Sequence, residues 1–235
     1  MSSENTDVLI IGAGLVGLST AMHLKKMRPR STVTVIEKGA RISDQQSGHN
    51  SGVLHAGIYY EPGSLKARLC VQGNRALGAL CEKFGIPIVR CGKVIVANTD
   101  AEIDRLEVLR ERGTENGVPG LRIVSDSELR EIEPNVSAAR ALYAPNSAVV
   151  DYRKVAAVYA AIFENGGGKL LLNTEFLSSA GEEGRNKVFT SSGEFTARLV
   201  VNCAGLQSDL VATSMGASPE VRIIPFRGEY YLLRE

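Results

Sequence analysis

Close to the N-terminus a glycine-rich turn, Gly12-Ala13-Gly14-Leu15-Val16-Gly17, separates two runs of opposite character. Before it, Asp7 to Ile11 is short, continuous, apolar and β-branched, which predicts a buried strand. After it, Leu15, Leu18, Met22 and Leu24 recur at helical spacing as far as Lys26, and Arg28, Pro29 and Arg30 stop the helix. Thr32 to Ile36 predicts a second strand. Residues 7 to 37 thus make one β-α-β unit, and parallel strands joined by a helix give an α/β class. In G-x-G-x-x-G the first glycine makes a tight turn. The second lets the backbone approach a pyrophosphate, and the third lets the helix pack closely on the strand. The helix N-terminus adds unpaired N–H groups and a partial positive charge. Glu37 ends the second strand, where a carboxylate meets ribose hydroxyls and disfavours a 2′-phosphate. The ligand is therefore a dinucleotide, NAD or FAD.

Composition narrows the remaining classes. Apolar residues make up 44 % of the 235 and charged residues 23 %, so a sizeable core forms without disulfides. A formal net charge of +1 offers no basic surface for nucleic acid and no pull toward an acidic membrane. Cys70, Cys81, Cys91 and Cys203 are scattered without a C-x-x-C pair or nearby histidines, so reduced thiols are expected and no metal site is. No apolar run approaches the length of a membrane span, and strand-like sequence from Asp7 leaves no room for a leader. The expected compartment is the cytoplasm, with peripheral membrane association left open and argued for by no residue. The chain stops at Glu235 directly after Tyr-Tyr-Leu-Leu, where a strand is still expected to run, which points to a truncated protein.

Beyond the first unit, residues 39 to 63 are rich in Gly, Ser, Gln and His, an irregular stretch of the kind that carries function. Helices are expected at Ser64 to Phe84, Asp100 to Arg112, Ser127 to Ile132, Tyr152 to Glu164 and Asp209 to Met215. Ile86 to Ala97 suggests two strands around Cys91-Gly92. Lys169 to Leu172 is a further strand, Val188 to Thr190 and Glu194 to Thr196 a hairpin, and Leu199 to Asn202 a buried strand leading into Ala204-Gly205. A Tyr-rich strand is expected within Ile223 to Leu233.

Two later features decide between the dinucleotides. Val200-Val201-Asn202-Cys203-Ala204-Gly205, followed by Asp209, resembles the second nucleotide-contacting segment of FAD oxidoreductases. The run Gln46-Ser47-Gly48-His49-Asn50-Ser51-Gly52-Val53-Leu54-His55-Ala56-Gly57-Ile58-Tyr59-Tyr60 is the most specific in the chain. It resembles the L-2-hydroxyglutarate dehydrogenases and oxidases of the D-amino-acid-oxidase superfamily. The match continues through Pro62 to Gly73, Cys91-Gly92-Lys93, Val150-Asp151-Tyr152-Arg153 and Pro225 to Tyr231. That resemblance implies a Rossmann-like FAD-binding domain of the glutathione-reductase type with an interleaved α+β substrate domain, incomplete at the C-terminus. Its expected parts are residues 1–85 and 151–220 for FAD, 86–150 as the substrate-domain insertion, and 221–235 as the start of a substrate-domain sheet.

The resemblance also implies a reaction: L-2-hydroxyglutarate is oxidised to 2-oxoglutarate by hydride transfer to flavin N5, with the electron acceptor, oxygen, a quinone chain or a carrier protein, left open. Expected cofactor contacts are Gly12, Gly14, Leu15, Val16, Gly17, Glu37, Lys38, Ser47, His49, Asn50, Ser51, Gly52, Val53, Ala204 and Gly205. The backbone near Phe176 is expected at the adenine end. His55 falls on the substrate side, and histidine suits a base near neutral pH. His23 lies in the first helix and reads as structural. A dicarboxylate calls for cations. Lys66, Arg68, Arg90 and Arg227 are candidates, with Arg227, beside Tyr230 and Tyr231, the first choice. Two other readings compete: a glycerol-3-phosphate dehydrogenase-like FAD enzyme, and a truncated flavin-binding module without turnover.

Overall fold

The computed structural model describes residues 3–182 and 184–229 and falls into two compact units, Met1–His49 with Tyr152–Glu235, and Asn50–Asp151. The first unit opens with β1 (Glu4–Ile11), α1 (Leu15–Met27) and β2 (Val33–Ile36). β1 runs parallel to β2, with Val8 opposite Val33 and Ile11 opposite Ile36. Every residue of β2 is buried, as are Leu9 and Ile10, because these strands are covered on both faces.

The second unit holds β3 (Val53–Leu54), α2 (Leu65–Phe84), β4 (Ile88–Val89), β5 (Lys93–Ala97) and α3 (Asp100–Glu115). It continues with β6 (Arg122–Val124), α4 (Asp126–Ile132), β7 (Arg140–Ala144) and β8 (Ala148–Val150). Helix ends follow local chemistry. The Ser64 hydroxyl accepts from the Ala67 N–H, and Thr99/Glu102 and Ser125/Glu128 form capping boxes. Gly85 ends α2 in the left-handed conformation. The strands form two three-stranded sheets, β3-β8-β4 and β5-β7-β6. β4 and β5 are therefore not a hairpin. Gly92, at φ +71°, donates its N–H to Ser147 O at 3.0 Å as the chain passes from one sheet to the other.

The chain then re-enters the first unit with α5 (Tyr152–Asn165), β9 (Lys169–Leu171) and β10 (Phe176–Glu182). β11 (Arg185–Thr190), β12 (Gly193–Asn202) and α6 (Ser208–Ser214) follow. The sheet order is β10-β11-β12-β1-β2-β9, with β12 and β9 parallel to their neighbours β1 and β2. α1 and α5 pack together on one face through Leu18, Ala21, Ala156, Ala160 and Phe163. Phe163 is 0 % exposed, and truncating it to alanine would cost about 3–5 kcal/mol. Leu9, Ile11, Ile36, Val188, Phe195 and Val211 form the second core cluster of this unit.

Three expectations need correction. The hairpin strand at Glu194 and the buried strand at Leu199 are one ten-residue strand, β12, paired with β11 over its first half and with β1 from Phe195 to Asn202. The boundary between units falls after His49, not near residue 85, because β3 pairs with β8 inside the second unit. Residues 221–229 carry no strand, and the rest of the expected Tyr-rich strand, from Tyr230 on, lies outside the described residues.

Candidate functional site

At the carboxyl ends of β1, β2 and β12 the first unit opens a groove of about 330 Å³. Its floor is the glycine turn. Gly12 sits at φ +104°, and a Cβ there would stand 2.5 Å from Cys203 O. A Cβ on Gly17 would collide with Gly12 O, so the third glycine lets α1 start directly against the turn. A Cβ on Gly14 would lie 2.9 Å from Ser47 Oγ. These three positions keep side chains out of the place where a ligand backbone has to pass.

The electrostatics favour an anion there. α1 has Gly14 as N-cap with no side-chain cap bond, and no acid lies in its first turn. The positive end of its dipole is left uncompensated by its own sequence. Ser47 Oγ accepts from the Leu15 N–H at 2.9 Å, which brings a hydroxyl to that helix end. Val16, 70 % exposed, and Gly14 both face the groove.

Glu37 forms the second wall. Its Oε2 accepts from the Ala13 N–H at 2.8 Å and its Oε1 from the Gly39 N–H at 2.9 Å. A carboxylate oxygen has two acceptor positions, so each retains capacity for a ribose hydroxyl. Lys38 Nζ donates to Gln207 Oε1 at 2.8 Å, and both residues line the groove. The third wall is the turn after β12. Asn202 accepts from the Ala204 N–H at 3.1 Å and donates to Ser208 O at 2.7 Å, and this sets Ala204 and Gly205 at the rim. Phe176 lines the far side, where the Thr174 N–H donates to Glu37 O at 2.8 Å. Cys203 also faces the groove; burial pushes its thiol up, partly offset by a hydrogen bond with Thr20, so it stands there as a neutral thiol.

Gly12, Gly14, Val16, Glu37, Lys38, Ser47, Phe176, Ala204 and Gly205 are thus brought together, with Leu15 and Gly17 shaping the floor. His49 is exposed, with Nδ1 3.0 Å from Gln45 O and Nε2 3.4 Å from Arg153 Nη2. An arginine only donates, so Nε2 accepts and Nδ1 carries the proton. Asn50, Ser51, Gly52 and Val53 belong to the second unit, where Asn50 Oδ1 accepts from the Gly52 N–H and Gly52 O accepts from the Val150 N–H. His55 is in the same unit with its side chain exposed. Arg227 is 87 % exposed and ion-paired with Glu229 at 3.2 Å, and Tyr230 lies outside the described residues. Sequence reasoning missed Gln207 and the stapling role of Asn202; an asparagine two residues before a turn amide is the one signal that pointed to the latter. Among the described residues, no group of three or more His, Cys, Asp or Glu is placed to hold a metal.

The residues present fit FAD. A glycine floor that any Cβ would fill, a dipole end free of acids and a ribose-directed carboxylate meet in one groove. Comparison with known proteins agrees. The family model for FAD dependent oxidoreductases matches residues 7–235. The chain is 41 % identical to human mitochondrial L-2-hydroxyglutarate dehydrogenase over 99 % of its own length and 53 % of that protein. It is 42 % identical to L-2-hydroxyglutarate dehydrogenase of Escherichia coli strain K12 over 97 % of its length and 54 % of that protein. Among solved structures, an L-alpha-glycerophosphate oxidase from Mycoplasma pneumoniae with FAD bound superposes with a TM-score of 0.83 at 27 % identity, covering 91 % of this chain and 57 % of that one. Glycine oxidase from Geobacillus kaustophilus gives 0.82 at 26 %, covering 92 % and 60 %. The chain spans about half the length of the curated relatives it matches.

Proposed function

The chain belongs to the FAD-dependent oxidoreductase family, and from that premise we propose that it oxidises L-2-hydroxyglutarate to 2-oxoglutarate. The observation that carries the substrate is its identity of 41 % or more, across nearly its whole length, with dehydrogenases of that hydroxy acid. FAD, when bound, supplies a flavin ring that accepts a hydride from the carbinol carbon. The chain's own residues do the rest. The N-terminus of α1 takes the pyrophosphate, and Glu37 takes the ribose while it holds the glycine turn closed.

His55 is the proposed base for the substrate hydroxyl proton, and Arg227 the proposed partner of a substrate carboxylate. The Arg227–Glu229 pair is solvent-exposed and therefore weak, so a substrate carboxylate competes for that guanidinium. The test is anaerobic addition of L-2-hydroxyglutarate to the FAD-loaded protein. Flavin absorbance should bleach, and His55→Ala should slow it by about 10²–10⁴-fold. Flavin that stays oxidised would overturn the reading; bleaching of His55→Ala at the parent rate would remove His55 alone. Reoxidation with oxygen and then with a quinone identifies the acceptor. The likeness to a glycerophosphate oxidase favours one second reading, glycerol-3-phosphate as substrate, and bleaching by that compound instead would select it.

A further inference from the structure

His55 lies in a stretch with little regular structure: β3 ends at Leu54, and irregular backbone follows to Glu61. Backbone carbonyls in such a stretch need donors from elsewhere. Two asparagine side chains supply them. Asn74, on α2, directs Nδ2 at His55 O and Asn146 O, both at 3.1 Å, and at Leu54 O at 3.5 Å. An amide nitrogen has two hydrogens, so the two shorter contacts are its bonds and the third is shared. Asn116, the C-cap of α3, donates Nδ2 to Tyr60 O at 2.8 Å and Gly57 O at 3.0 Å. Reversing either amide would set oxygen against carbonyl oxygens, so the surroundings fix both orientations.

Smaller contacts complete the grip. Cys70 Sγ lies 3.5 Å from His55 O, and Arg112 Nη1 donates to Tyr59 O at 3.3 Å. Gly57, at φ +101°, lies so close to α2 that a Cβ would stand 2.9 Å from a Val71 methyl. Leu54, Ala56 and Ile58 are buried while His55 is exposed, so the segment is anchored on both sides of an outward imidazole. Asn116 Oδ1 is buried with no hydrogen-bond partner among the described residues. An apolar side chain of that size would bury there without an unpaired oxygen, so what the asparagine adds is its pair of donors.

We infer that Asn74 and Asn116 are positioning residues that hold the backbone at His55 and just beyond it, and so fix where its imidazole is presented. This rests on the proposed role of His55 as base. Asn74 does more than hold one strand end. Through Asn146, in the turn between β7 and β8, it ties the end of β3 to the strand that β3 pairs with.

The test uses the FAD-loaded protein with Asn74→Leu and Asn74→Asp, each alone and combined with His55→Ala. The readouts are hydrogen exchange across residues 55–60, FAD content, and the rate and concentration dependence of bleaching by L-2-hydroxyglutarate. FAD content and half-saturating substrate should match the parent, and exchange should quicken within 55–60. Bleaching at saturation should slow by roughly 10–100-fold, the scale of an ångström misplacement. No further slowing should follow in the His55→Ala background. Unchanged exchange at 55–60, or the same fold-loss with and without His55, would overturn the inference while leaving the base assignment standing. A parent rate in His55→Ala alone would refute both. Asn116→Leu, read in the same way, is the second variant should Asn74→Leu fail to fold.

Discussion

Replacing Glu37 by glutamine should weaken the protein before any cofactor is present. The two carboxylate oxygens divide their work, Oε2 holding the Ala13 N–H and Oε1 the Gly39 N–H. Glutamine keeps one oxygen and turns the other into a donor, so one of the two N–H groups must face a donor. Ala13 is 0 % exposed, and its N–H has no water to fall back on if it is the one displaced. A hydrogen bond to a charged acceptor contributes about 1.5–3 kcal/mol, and the surviving bond drops to the neutral value of about 1 kcal/mol. Together these changes destabilise the glycine turn by about 2–5 kcal/mol, roughly 4–20 °C in melting temperature. Thermal unfolding of the cofactor-free protein, followed by circular dichroism, reads this directly; FAD titration then reads the added loss of ribose contact. Cofactor-free Glu37→Gln that melts with the parent would refute the argument, because Glu37 would then serve the ligand alone.

Two further outcomes follow from the same geometry. Gly17→Ala drives a methyl into Gly12 O, so it should abolish FAD retention, checked by the flavin absorbance of the purified protein, whereas Gly73→Ala, with nothing within 4 Å, should leave it unchanged. Arg130, then Ser137 and the Ala138 N–H, hold the Asp126 carboxyl below its ordinary value. A folded value below the unfolded one gives stability that is present above about pH 4 and lost as pH falls through the folded value. Asp126→Asn should therefore flatten the acid limb of a stability-against-pH curve below about pH 4; an unchanged limb would exclude that contribution.

The β-α-β start was legible because its signals are local: glycines that only a tight turn requires, an apolar period of 3.6, and an acid at the strand end. The groove's opposite wall was legible only through resemblance, since nothing in Ala204-Gly205 itself announces that β12 lies beside β1. Strands β3 and β4, two residues each, carry no periodicity at all, and their pairing with β8 is a tertiary fact. For the same reason the division after His49 left no mark in composition. Asn74 read as an ordinary polar residue on a helix, and Asn116 lay past the expected end of one, because the carbonyls they serve belong to a segment apart in sequence. Arg227 stood out by its aromatic neighbours, yet its guanidinium meets Glu229 and solvent here.

The pairing of β1 with β12 sets Val8 against Leu199 and Ile11 against Asn202. During synthesis the first strand therefore leaves the ribosome long before its neighbour exists. At about 5–20 residues per second the interval is roughly 10–40 s. Residues Asn50–Asp151, whose sheets close among themselves, emerge in full within that interval. One edge of β1 can pair with β2 almost at once, whereas the edge that β12 covers stays open until the chain has returned from the second unit.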